Sequence, residues 1–338
     1  MAGPPLYVSR LLPEPVMSML VARFTLTARP TIDPPTPDAL RSGLSVAEYA
    51  ICTLTERIDA TLLDTISGLR VIANYAVGYN NIDVAAAQAR GIIVTNTPDV
   101  LTETTADLTW TLLLATARRL IEGHDLVHSG VWAGWEPTQL LGTEVFGKTL
   151  GIIGMGRIGR AVAGRAGGFG MSVLYPSRGA SREQEGPAIG QAVALEDLLG
   201  RADFVSLHVP LTKETRHLIG DAELRRMRPS AILLNTSRGP VVDEAALVAA
   251  LQEGRIAGAG LDVYEHEPSI HPGLLQLKQV VLLPHLGSAT LSCRVRMGMV
   301  CLENLEAVRS GRPAPNRVTA VPIKEKGPPD SPTDPSSS

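Results

Sequence analysis

The sequence predicts an α/β protein made of two doubly wound parallel-sheet domains. Three observations carry that expectation. Between about 147 and 285, short aliphatic or β-branched runs alternate with turns and amphipathic helical stretches. A smaller set of the same kind fills the first hundred residues, and 338 residues is about twice the usual size of one domain. Continuous apolar runs of this sort suit parallel strands covered on both faces.

Taken in order, the first set offers strands at 50–54, 71–74 and 92–95, with Asn80-Asn81 and Arg90-Gly91 as breaks. A long helical stretch, 105–129, links the two sets. The larger set has strand runs at 150–153, 172–175, 204–207, 231–234, 260–263 and 280–283, with helices such as 195–200 and 243–253 between them. A last helix, about 292–310, comes too late for the central sheet. Packed back onto the first set, it makes the small domain discontinuous: 1–98 plus 288–318, around a large domain at 99–287. Residues 319–338 hold five prolines and four serines. Such a segment buries too little surface to offset its ordering entropy, so a disordered tail is expected.

Charge and composition narrow the function. The 31 basic and 34 acidic side chains nearly balance, and a net charge of -3 argues against a broad nucleic-acid surface. No run reaches the roughly 18 apolar residues of a membrane span. Arg10, Pro13, Glu14 and Pro15 interrupt any signal-peptide core. Cys52, Cys293 and Cys301 form no CxxC pair, so reduced thiols in the cytoplasm are expected, with neither a disulfide framework nor a metal site.

The segment 148–160 reads KTLGIIGMGRIGR. An apolar strand runs into Gly154-Met155-Gly156-Arg157-Ile158-Gly159, and a helix over 158–166 follows. The glycines serve a tight turn, close backbone approach to a pyrophosphate, and close helix-on-strand packing. The helix N-terminus then offers N–H groups and a positive dipole end to the phosphates. The loop therefore predicts dinucleotide binding. At the end of the next strand, Tyr175-Pro176-Ser177-Arg178 supplies a hydroxyl and a guanidinium where an acidic residue would hold the ribose 2′-hydroxyl of NAD. Ser177 and Arg178 suit a 2′-phosphate, so NADP(H) is favoured over NAD(H).

In an open α/β sheet the ligand lies outside the carboxyl ends of the strands. Three strand ends there carry reactive groups: Asn235-Thr236-Ser237-Arg238-Gly239, Asp262-Val263 running on to Glu265-His266-Glu267-Pro268, and Pro284-His285-Leu286-Gly287-Ser288. An arginine, a carboxylate and a histidine suit carbonyl reduction. A cation polarises the carbonyl, and histidine protonates the oxygen near neutral pH. A neighbouring carboxylate orients the ring, although spacing alone does not choose between Glu265 and Glu267. His124, His128, His208, His217, His266 and His271 lack such a setting and are read as structural.

At these residues the sequence resembles the D-isomer-specific 2-hydroxyacid dehydrogenases, especially their glyoxylate and hydroxypyruvate reductases, over about 6–318. The resemblance rests on the segment 74–83 (NYAVGYNNID), the GMGRIG loop, 235–239, Leu261-Asp262-Val263, Glu267-Pro268 and 284–288. It implies two Rossmann-like domains, the smaller one discontinuous, with the active site in the cleft between them. It implies Arg238, Glu267 and His285 as the catalytic trio, which selects Glu267 over Glu265, with Arg238 and His285 also touching substrate. The backbone N–H groups of Val77 and Gly78 would bind the substrate carboxylate. Asp262 would hold the nicotinamide amide, and Thr236 joins the cofactor contacts. Relatives of this kind are usually homodimers joined through the long helix and the loop after it. Trp132 and Trp135 sit in that loop, and Trp135 is the candidate to reach the partner's substrate.

The expected activity is NAD(P)H-dependent reduction of a small 2-oxo acid, glyoxylate or hydroxypyruvate, to the D-2-hydroxy acid, with His285 as acid and base. Two alternatives are weighed. A phosphite-type dehydrogenase would oxidise another small anion, but its phosphite-binding lysine is replaced by Val77. Formate dehydrogenases have a glutamine where Glu267 stands. A dinucleotide-sensing binding protein, like the C-terminal binding protein corepressors, keeps the same three residues.

Overall fold

The computed structural model describes residues 3–177 and 189–320. The chain forms two compact units: one runs to Thr97 and resumes at Val300, and the other is Pro98–Met299. The second crossing between the units falls inside the last helix, between Met299 and Val300, where the sequence suggests a division after Gly287. Arg178 and most of the proposed tail lie outside the described residues. At the start of that tail, Ala320 packs on the core of its unit and its N–H donates to Gln88 Oε1 (3.0 Å).

The smaller unit contains β1 (Pro5–Val8), α1 (Glu14–Val21), β2 (Thr25–Leu26), α2 (Pro37–Ser45), β3 (Tyr49–Cys52), α3 (Ala60–Leu63), β4 (Val71–Asn74), α4 (Val84–Ala89) and β5 (Ile93–Thr95). The larger unit continues with α5 (Thr102–Ala117), α6 (Leu120–His128), β6 (Thr149–Ile153), α7 (Arg157–Ala166), β7 (Ser172–Pro176), β8 (Gln191–Val193), α8 (Leu195–Arg201) and β9 (Phe204–Leu207). After these come α9 (Asp221–Arg226), β10 (Ile232–Asn235), α10 (Glu244–Gln252), β11 (Gly258–Leu261) and β12 (Val280–Leu282). The helix α11 (Leu291–Arg309) and the strand β13 (Arg317–Val318) close the chain.

The large sheet has seven strands in the order β12-β11-β10-β9-β6-β7-β8, all parallel. Chain order reverses between β6 and β9, so the loop after β6 opens at the topological switch point, where α/β sheets bind ligands. Both faces are covered, as the apolar strands require. Leu198, Leu199, Leu224, Leu247 and Leu251 of α8, α9 and α10 pack one face. Trp110, Leu112 and Leu113 of α5, with Val162 and Ala166 of α7, pack the other. The Trp110 indole N–H donates to Val162 O (3.0 Å), and its ring stacks on Phe169 at 4.6 Å.

The small sheet runs β13-β5-β4-β3-β1-β2, parallel except for β13, which pairs antiparallel with β5. The pairing of β3 with β4 sets Cys52 opposite Asn74, so the loops after both strands emerge at one edge.

One expected element divides. The stretch 105–129 is two helices, because Arg119 adopts φ +52° between them. The Thr143 N–H takes the Ala117 carbonyl (2.7 Å), and the Arg119 guanidinium makes two 2.8 Å bonds to Glu122. The Thr143 bond comes from outside the segment and the Arg119–Glu122 pair from within it, and no glycine or proline marks the place.

Candidate active site

The strand β6 feeds Gly154, which sits at φ +110° with its backbone against His208 O. A Cβ on Gly159 would lie 2.0 Å from Gly154 O, so the turn closes only without side chains. A Cβ on Gly156 would meet nothing within 4 Å, and the first turn of α7 has no side-chain cap. Open space over an uncapped helix N-terminus fits a dinucleotide pyrophosphate. Met155 and Ile158 are partly buried and pack against the apolar core. Arg157 Nε lies 2.6 Å from Asp99 Oδ1. Ser177 is exposed beyond β7, and its N–H donates to Val193 O (3.0 Å).

The three reactive strand ends follow β10, β11 and β12. After β10, the Asn235 side chain shapes the turn that carries Arg238. Its Nδ2 donates to Arg238 O (3.0 Å), and its Oδ1 accepts from the Ser237 N–H (3.0 Å) and hydroxyl (2.8 Å). The Thr236 hydroxyl pairs with Thr109 of α5 at 2.9 Å. Gly239 lets this turn press on the next loop, because a Cβ there would lie 1.8 Å from the Tyr264 carbonyl. Arg238 is half-buried. Burial draws its guanidinium below the ordinary value, and the Glu267 charge opposes that shift.

The structure separates the two glutamates that spacing left open. Glu267 Oε2 lies 2.9 Å from His285 Nδ1, and Glu267 Oε1 accepts from the Tyr264 N–H (3.1 Å). Glu265 turns the other way, onto His217 Nε2 (2.6 Å) and Arg216 Nη2 (3.0 Å). Burial pushes the Glu267 carboxyl up, but the His285 hydrogen bond and charge, the Tyr264 N–H and Arg238 outweigh it. The group ends below the ordinary carboxylate range and ionised.

His285 itself is held in the left-handed region, at φ +56°. Its N–H donates to Asp262 O (3.0 Å), while the Asp262 carboxylate accepts from the Leu286 N–H (2.6 Å) and the Gly287 N–H (2.8 Å). Asp262 is fully buried. Burial raises its carboxyl above the ordinary value despite the two N–H bonds and the neighbouring His285. Spacing places Asp262 at the edge of the sheet but says nothing of this clamp on the loop that carries His285. Asn235 and Tyr264, whose hydroxyl donates to Leu283 O (2.8 Å), were likewise missed as supports; their only signal is a position inside the motifs.

The other sequence-predicted residues lie elsewhere. Val77 and Gly78 sit in the loop after β4 of the smaller unit, half-exposed. Trp135 is 81% exposed, and the Trp132 indole N–H donates to Gln139 (3.2 Å). Among the described residues no cluster of His, Cys, Asp or Glu could hold a metal ion, and no helix is long and apolar enough to cross a membrane.

Residues 110–287 match the family model for the D-isomer specific 2-hydroxyacid dehydrogenase NAD binding domain. A glyoxylate reductase of Thermococcus gammatolerans is 49% identical over 329 residues, covering 96% of this chain and 98% of that protein. The crystal structure of a Thermus thermophilus protein superposes with a TM-score of 0.86 at 46% identity, covering 93% of this chain and 100% of that one. An NADPH-dependent glyoxylate/hydroxypyruvate reductase of Sinorhizobium meliloti, solved with NADP and malonate, gives 0.82 at 35% identity, over 94% of this chain and 97% of that one. These relatives do not favour the phosphite-oxidising or corepressor-like alternatives. The chain belongs to the D-isomer specific 2-hydroxyacid dehydrogenases, and it is an oxidoreductase that reduces a 2-oxo acid with a nicotinamide dinucleotide.

Proposed function

We propose that this enzyme reduces glyoxylate or hydroxypyruvate to the D-2-hydroxy acid in the cytoplasm, preferring NADPH, as a homodimer. The observation that carries the reading is the Glu267–His285 pair, set beside Arg238 at the carboxyl ends of β10, β11 and β12. The backbone of 154–159 and Thr236 hold the dinucleotide, with Asp262 beside its nicotinamide amide. The reduced cofactor supplies the hydride that reaches the carbonyl carbon. Arg238 binds the carbonyl oxygen and stabilises the negative charge that grows on it. The N–H groups of Val77 and Gly78 bind the carboxylate, which fixes the face of the carbonyl presented. With Nδ1 bonded to Glu267, His285 delivers its proton from Nε2 to the carbonyl oxygen, and Glu267 stabilises the imidazolium before transfer.

Ser177 at the end of β7, together with Arg178, supports a 2′-phosphate site, as does the NADPH dependence of the Sinorhizobium relative. Exposed Leu120, Ile121, Val127, Val131, Trp135 and Leu141 support a second copy covering α6 and the loop after it, with Trp135 entering the partner's substrate site. Initial rates with NADPH and NADH against glyoxylate, hydroxypyruvate, pyruvate and phosphite test the reading. The expected result is a kcat/KM with NADPH about tenfold or more above NADH, since a forked Arg–phosphate contact contributes on the order of 1.5 kcal/mol or more. An NADH preference overturns the use of Ser177 and Arg178. Competitive phosphite oxidation overturns the substrate assignment. Light scattering at micromolar concentration that shows a monomer overturns the dimer.

A further inference from the structure

In the loop after β4, three consecutive carbonyls are each held from behind. The Thr97 N–H donates to Ala76 O (2.9 Å), Asn96 Nδ2 to Val77 O (2.8 Å) and Asn74 Nδ2 to Gly78 O (2.8 Å). A trans peptide sets its C=O and N–H on opposite sides, so each bond turns the next N–H away from its donor. The N–H groups turned in this way belong to Val77, Gly78 and Tyr79. None of the three has a hydrogen-bond partner among the described residues, and all three residues are at least partly exposed. Successive free N–H groups of this kind form an anion-binding concavity.

The two asparagines are themselves locked. Asn74 is fully buried at the end of β4, and its Oδ1 accepts from Asn81 Nδ2 at 3.4 Å, which leaves Nδ2 for Gly78. Asn81 Nδ2 also reaches Thr53 O (3.0 Å) and Glu56 O (3.1 Å). That turn is anchored by the buried Glu56 carboxylate, which accepts from the hydroxyls of Ser9 (2.7 Å), Thr53 (3.0 Å) and Thr55 (2.8 Å). The Asn96 backbone N–H donates to Asn316 O (3.2 Å), so the second amide is fixed by the returning chain.

We infer that Asn96 and Asn74 are positioning residues for the substrate: they aim the N–H groups of Gly78 and Tyr79, with Val77, as a three-donor seat for the substrate carboxylate. The inference rests on the proposed reduction of a 2-oxo acid, and it adds Tyr79 to the donors. Neither asparagine touches the substrate; each acts through the carbonyl it holds. The half-buried Asn96 is the safer one to alter.

The test is Asn96→Asp, which keeps the side-chain size but replaces the donor by an acceptor facing Val77 O. KM for glyoxylate and the dissociation constant of oxalate from the NADPH complex are expected to rise together, by about tenfold. With the chemistry and the cofactor loop untouched, kcat should change less than about threefold and NADPH affinity less than about twofold. Asn96→Ser, with a shorter donor, should fall between wild type and Asn96→Asp, and it carries the test if the charged variant does not fold. KM and oxalate binding within about twofold of wild type would overturn the inference, as would a parallel loss of NADPH affinity. If wild type reduces neither glyoxylate nor hydroxypyruvate, the proposed function fails on its own. Oxalate titration of wild type against the variant then still decides the seat, and no oxalate binding to wild type overturns it.

Discussion

Glu267 Oε2 and His285 Nδ1 stand 2.9 Å apart, although 18 residues separate them in sequence and each follows a different strand. The bond occupies one ring nitrogen and leaves Nε2 as the group that exchanges a proton. Tyr264 braces the glutamate through its N–H, and Asp262 braces the histidine loop through three bonds. The acid–base pair is therefore clamped from both sides.

Replacing His285 with Ala removes the proton donor but touches none of the groups at the glycine loop. The kcat for 2-oxo acid reduction should fall by about 10²–10⁴-fold, the usual contribution of general acid catalysis. NADPH affinity, read by fluorescence titration, should stay within about twofold. Turnover at the wild-type rate would remove His285 from the mechanism.

Glu267→Gln and Glu265→Gln should behave differently. Glu267 is ionised at assay pH, because its partners hold the carboxyl below the ordinary range. Its carboxylate holds the His285 ring through Nδ1. Without that charge, kcat for 2-oxo acid reduction should fall by about tenfold or more while NADPH affinity stays within about twofold. Glu265→Gln should leave kcat within about twofold of wild type, since Glu265 faces His217 and Arg216. Equal losses of kcat in both variants would contradict the division of roles.

Asp262→Asn keeps the shape but leaves only one oxygen for two backbone donors. The lost bond and the opposed N–H groups should lower stability by about 1–3 kcal/mol, measured as a drop in the denaturant midpoint. The kcat should fall more than the NADPH affinity, because the displaced segment carries His285. A variant with wild-type kcat would show that the clamp is dispensable.

His208 offers a pH test of stability. Burial pushes its imidazole from the ordinary value of 6.5 down to about 4, with its Nε2 at 2.8 Å from the Ser206 hydroxyl. As pH falls below about 6.5, the unfolded chain takes up this proton before the folded one does. The stability from the neutral ring is thus complete above about pH 6.5 and is lost progressively as pH falls toward 4. The loss is on the order of 2 kcal/mol after allowing for partial exposure. His208→Gln should flatten urea-derived stability between pH 6.5 and 4.5 relative to wild type. Parallel pH curves for the two proteins would rule out this source.

Much of the large unit was legible because its strands are buried on both faces. Phe204–Leu207 and Thr149–Ile153 read as short, mostly apolar runs, and the glycine loop lies where one of them ends. His285 was visible for the same reason, as a histidine just beyond a strand. What stayed hidden depends on contacts made across the chain. The strand Gln191–Val193 is a short, largely exposed edge whose three residues are too few for a clear apolar pattern. At the break near Arg119, the Ala117 carbonyl is taken by the N–H of Thr143, from a distant loop. The choice of Glu267 over Glu265 needed the geometry of the loop or a family resemblance. Nothing in the spacing of Asn74 and Asn96 shows that both amides grip carbonyls of the same loop.

The path of the chain between the two units also sets an order of events during synthesis. The large unit, Pro98–Met299, emerges from the ribosome whole, as one uninterrupted stretch. The small unit starts first yet finishes last, because β13 at 317–318 supplies the partner of β5. Until then the edge of β5 is bare, an invitation to pair with the wrong strand. A nascent chain stalled anywhere between 97 and 317 therefore holds a small sheet that is one strand short.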